Sequence, residues 1–318
     1  MTTSTRLAAL SFLTAAVLGV TGCSAGQSPA TSTSNTRPAT APATVTVGGE
    51  EIRPDEKPVR IAALSSDVAS LVAAIARPEN IALITDLGED TPDGPQVLTG
   101  DHGVDPELLL SAAPDLVLLT GRHGQEKDSG ALLEQAGVRV AQFDAATDWK
   151  DIDAILRNID TLGTMLGERE RAAQLRAEIE AVRSKVHSTP APRPAPRVLA
   201  LMSRGSQRMV VPSSALLHGL ITEAGGDVLS AGSGGPAPAD PELIASLNPD
   251  IILIEDFRGR GRQDFGDILA NPAVSQVPAV AHAQVHYLPS DRVTVAGAAF
   301  VGDGLTAVAD AVSSGEND

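Results

Sequence analysis

The sequence predicts an α/β protein of two lobes, each built on a parallel sheet. Three observations carry this reading: a stretch that occurs twice, apolar runs that alternate with helical patterns in both copies, and a long helical segment between them. Residues 105–119 (DPELLLSAAPDLVLL) return as residues 240–254 (DPELIASLNPDIILI). Upstream, residues 60–66 (RIAALSS) return as residues 197–203 (RVLALMS), in the same order and at nearly the same offset.

Each repeated element has a local cause. Asp105 and Asp240 stand where an N-cap is expected, with Pro at the first helical position and Glu107 or Glu242 in the first turn. The helix stops before Pro114 or Pro249, and the apolar tetrad that follows lacks alternation, as in a strand buried on both faces. Ile61–Leu64 and Val198–Leu201 read as the first strand of each lobe, followed by helices over Val68–Ala76 and Ala215–Ala224. Ligands approach such sheets at the carboxyl ends of the strands. Ser65 and Ser66 in one lobe, and Met202, Ser203 and Arg204 in the other, are therefore expected to face one cleft.

Between the copies, Ile152, Ile155, Leu156, Ile159, Leu162 and Met165 keep helical spacing as far as Gly167. A second helix is expected over Glu168–His187, long enough to run from one lobe to the other, and a proline-rich segment leads into the second lobe. The expected boundaries are 58–147 for the first lobe, 148–195 for the connection, 196–313 for the second lobe and 314–318 for a tail.

The chain has 318 residues, of which 42% are hydrophobic, enough for a sizeable core. A net charge of −16 offers no field for polyanions and argues against nucleic-acid binding. One cysteine leaves no internal disulfide and no thiolate metal cluster. That cysteine follows Arg6, the apolar run Leu7–Val20 and the small residues Thr21-Gly22, a pattern that resembles a bacterial lipobox. Residues 1–22 read as a signal peptide and Cys23 as the lipidated first residue. Residues 23–57, rich in Ser, Thr, Ala and Pro, read as a disordered tether. The expected location is the outer face of the cytoplasmic membrane, held there only by the lipid.

Together these features resemble the class III substrate-binding lipoproteins of ABC importers, the group that takes ferric siderophores, cobalamin and haem. The repeated P-E-L…P-D motif and the Leu220–Gly226 segment (LITEAGG) are the most specific marks. The resemblance implies two Rossmann-like lobes joined by a long rigid helix, with a ligand cleft between them and no enzymatic turnover. It also implies a permease and its ATPase as partners, docked through Glu107 and Glu242, and a monomer. The sequence agrees that this is not an enzyme, since within residues 58–313 the nucleophile-elbow, phosphate-loop and H-E-x-x-H patterns are all missing.

The segment 101–107 (DHGVDPE) is similar to one in actinobacterial hemin-uptake lipoproteins, which implies His102 as an axial haem ligand. Where those relatives carry a Tyr, this chain has Met202, itself able to ligate haem iron. Arg122, His123, Arg258 and Arg260 follow the two repeated strands and are expected at the cleft, where guanidinium groups suit carboxylate arms. Haem is thus the expected cargo, with cell-surface haem-binding proteins as possible donors. A ferric siderophore is the alternative, needing basic residues but no axial His. A zinc or manganese cargo, suggested by His282 and His286, is the weaker one.

Overall fold

The computed structural model describes residues 45–47, 50–52, 57–98, 106–122, 124–190, 192–232 and 235–314. Cys23, His102, Asp105 and His123 lie outside the described residues.

The folded body begins earlier than the composition suggests. β1 (Val45–Val47) and β2 (Glu50–Ile52) pair antiparallel, and Val47 and Ile52 are buried in the main core. The expected tether to residue 57 is therefore corrected: Val45, Val47 and Ile52 alternate with polar residues around Gly48-Gly49, a hairpin signal hidden in a Ser/Thr-rich neighbourhood.

Lobe one runs β3 (Ile61–Ala63), α1 (Ser66–Ile75), β4 (Ile81–Thr85), β5 (Gln96–Leu98), α2 (Pro106–Ala112), β6 (Leu116–Leu119), α3 (Gly124–Gln135) and β7 (Val140–Gln142). Its sheet is wholly parallel, in the order β5-β4-β3-β6-β7. Two helices follow, α4 (Ile152–Met165) and α5 (Arg169–Ser188). They pack against each other so closely that a Cβ on Gly163 would overlap that of Ala172. The connection is thus a pair of packed helices, as the apolar spacing predicts, where the family resemblance implied one long rigid helix.

Lobe two contains β8 (Arg197–Arg204), β9 (Gln207–Val210), α6 (Leu216–Glu223), β10 (Asp227–Leu229), β11 (Ala237–Pro238), α7 (Pro241–Leu247) and β12 (Ile251–Asp256). It continues through α8 (Gly261–Leu269), α9 (Pro278–Ala281), β13 (Val285–Pro289), α10 (Ser290–Val293) and α11 (Val301–Ser314). This sheet is mixed, where a parallel one was expected. The first half of β8 pairs parallel with β10, and its second half turns back at Gly205 to pair antiparallel with β9.

The sequence repeat has a shared stereochemistry. Asp115 accepts from the backbone amides of Val59 and Arg60 at 2.8 and 3.1 Å, and Asp250 accepts from that of Arg197 at 2.8 Å. In return the Arg60 and Arg197 side chains donate to the last carbonyls of α2 and α7, Ala112 and Leu247 among them. These are carbonyls that a helix end leaves without partners. Ala113 and Asn248 both adopt φ 46°, ending the two helices alike. Asp240 occupies the expected N-cap position of α7, but its side chain makes no capping hydrogen bond.

One apolar core passes through both lobes. It takes in α1 and the inner face of the first sheet, Phe143, Trp149, α4, α5, one face of β8 and β12, α6 and α11. Smaller clusters fill the outer faces, around Leu83 and Leu119 in lobe one and around Leu199 and Phe265 in lobe two.

Candidate functional site

In lobe one the carboxyl ends of β3 and β6 are tied together by side chains. The Ser65 hydroxyl accepts from the Thr120 amide at 2.9 Å, and Ser66 opens α1. Next to it Asp67, with a side chain 2% exposed, accepts from the Val68 amide at 2.9 Å and from Arg122 Nη2 at 3.2 Å. Burial pushes the Asp67 carboxyl up from its ordinary pKa, and the Arg122 guanidinium pulls the other way. The Thr120 hydroxyl is buried here without a protein partner.

Lobe two has a corresponding edge. Arg204, at the end of β8, donates through Nη2 to Glu255 at 3.1 Å and through Nη1 to the Ser203 carbonyl at 2.9 Å. The Glu255 side chain is 3% exposed; burial raises its carboxyl pKa and Arg204 opposes the rise. Met202 is half-buried against the shared core. Ser203, expected at the cleft, turns instead to α8 and donates to Asp264 at 2.7 Å, because successive strand residues alternate faces.

Beyond β12, Phe257 is 47% exposed, and the Arg258 guanidinium stacks on its ring at 5.0 Å. Arg260 is spent on Asp264, at 3.3 Å. Glu107 and Glu242 are both exposed in the first turns of α2 and α7. Of the two histidines that suggested zinc or manganese, His282 is exposed, and the half-buried His286 contacts Gln284 and Ser314. Among the described residues no group of three or more His, Cys, Asp or Glu side chains converges as a metal site.

The structure thus gathers Ser65, Ser66 and Arg122 at one sheet edge, and Met202, Arg204 and Arg258 at the other. Sequence reasoning missed Asp67, Glu255 and Phe257. Phe257 was accessible, since it heads the Arg-rich loop; the two carboxylates were not, because burial is a tertiary property.

Residues 61–292 match the family described as periplasmic binding protein. The chain belongs to this family. It is a solute-binding protein and not an enzyme, and the family implies a place outside the cytoplasm. Among solved structures it is similar to a possible iron-binding (periplasmic solute-binding) protein from Staphylococcus epidermidis. That likeness has 19% identity over 80% of this chain and 99% of the other, at a TM-score of 0.67. The heme-binding protein HmuT matches with 24% identity over 85% of this chain and 90% of its own, at a TM-score of 0.65. The periplasmic heme-binding protein RhuT from Roseiflexus sp. RS-1, in its apo form, matches with 24% identity, 80% and 98% coverage and a TM-score of 0.62. At such identities the likeness establishes the fold of the binding protein. None of the curated proteins matches it by sequence.

Proposed function

We propose that this binding protein captures haem between its lobes and hands it to the permease of an ABC importer, tethered to the membrane through Cys23. The observation that carries the reading is the pair of guanidinium groups, Arg122 and Arg204, held by buried carboxylates at the carboxyl ends of strands in the two sheets. Haem presents two carboxylate arms and a flat apolar ring. Arg122 and Arg204 suit the arms, and the exposed Phe257 ring with its stacked Arg258 suits the ring. Met202 would offer a thioether to the iron and His102 an imidazole nitrogen. The haem-binding proteins among its structural neighbours support the same cargo.

Titration of the purified protein with hemin, followed in the Soret band, tests the proposal. One equivalent is expected to give a saturating spectral change that His102→Ala alters. A ferric siderophore, the second reading, draws support from the absence of a Tyr at residue 202. Binding of such a chelate with no Soret change would establish it in place of haem.

A further inference from the structure

The internal repeat copies strands, helix ends and capping residues position for position, yet it does not copy the charge pairs at the sheet edges. In lobe one the carboxylate, Asp67, follows the first repeated strand and the guanidinium, Arg122, follows the second. In lobe two the guanidinium, Arg204, ends the first repeated strand and the carboxylate, Glu255, lies on the second. The same device is therefore built twice from opposite strands, so duplication alone does not account for it.

From this crossed arrangement we infer that Asp67 and Glu255 are positioning residues for ligand binding: each holds one arginine so that its free N–H groups face a planar carboxylate arm of the ligand. The inference rests on the proposed anionic cargo and adds to it the residues that orient the cations. Both carboxylates are almost wholly buried, whereas the Arg122 and Arg204 side chains are 37% and 50% exposed. The acid thus cannot meet a ligand itself, while the guanidinium retains donors beyond the single one that each carboxylate takes. A free arginine carries about 2 kcal/mol of rotamer entropy, which a ligand would have to remove; here the fold has already removed part of it. Each pair is also neutral as a whole, so it selects by hydrogen-bond geometry and not by charge.

Charge and positioning predict opposite outcomes for Asp67→Asn and Glu255→Gln. Both variants keep the side-chain shape and leave an unbalanced guanidinium. If charge dominates, hemin binds more tightly; if positioning dominates, each variant binds hemin about tenfold more weakly. Side-chain relaxation of isotope-labelled arginine in the ligand-free full chain gives an independent readout. Arg122 and Arg204 are expected to be rigid in the parent, with Arg122 mobile in Asp67→Asn and Arg204 mobile in Glu255→Gln. Unchanged or tighter hemin binding, or arginines equally rigid in parent and variants, would overturn the positioning role. A parent protein that fails to bind hemin overturns the haem reading alone, because the relaxation measurement still decides whether the carboxylates hold the arginines.

Discussion

Arg292 of lobe two donates to the Asp90 carboxylate of lobe one at 2.9 Å, while its guanidinium stacks on Phe300 at 4.2 Å. Nearby the Ala299 amide donates to the Ser70 hydroxyl at 3.0 Å, a second polar tie between the lobes. Arg292 and Asp90 are about a quarter exposed, so solvent screens the ion pair only in part. A double-mutant cycle of Arg292→Ala and Asp90→Ala, read by urea denaturation, is expected to give a coupling of about 1 kcal/mol.

Replacing Gly304 is expected to be far more damaging than its small size suggests. A Cβ there would overlap the Arg292 carbonyl oxygen, which is backbone and cannot swing aside. Gly304→Ala should lower stability by roughly 1–3 kcal/mol, the usual cost of overpacking, in the same urea assay.

The carboxylates of the repeat are structural. Asp250→Ala strands the Arg197 amide, and Asp115→Ala strands those of Val59 and Arg60. Asp250→Ala is expected to cost about 1–3 kcal/mol, and Asp115→Ala, whose partner amides are exposed, about 0.5–1.5 kcal/mol. The Asn variants, which keep an acceptor, should lose clearly less, as thermal melts would show.

His218 makes the fold sensitive to acid. It is 7% exposed, burial pushes its pKa below the ordinary 6.5, and its Nε2 has no protein partner. The native state therefore binds this proton less readily than the unfolded chain. Its contribution is complete above pH 6.5 and is lost as pH falls from there toward the lowered native value. His218→Gln is expected to flatten that decline in a pH series of denaturation midpoints.

Glu107 and Glu242 occupy like positions on α2 and α7, both exposed. Reversing either to Lys is expected to impair uptake in cells while hemin affinity of the purified protein stays unchanged. A parallel loss of affinity would place them in the ligand site instead of the permease contact.

How much of this was legible follows from which forces are local. The repeated helix ends and strands were readable because proline and apolar runs act within a few residues, and α4 and α5 because their apolar spacing is regular. The hairpin at Val45–Ile52 was obscured by the polar residues around it. The antiparallel β9 was missed although Arg204-Gly205-Ser206-Gln207 is a turn between two apolar runs. In the site, Arg122 and Arg204 could be named from strand ends. Asp67 and Glu255 could not, since only the assembled fold decides that both are enclosed.

The single core that runs from α1 to α11 means that a doubled sequence has not produced two detachable parts. Cutting the chain between the repeats would leave Ile155, Ile159 and Leu162 of α4, and the faces they cover, open to water. Neither half is self-sufficient: each is the solvent shield of the other. Swapping a whole lobe between relatives would therefore require its buried seam to be remade along with it.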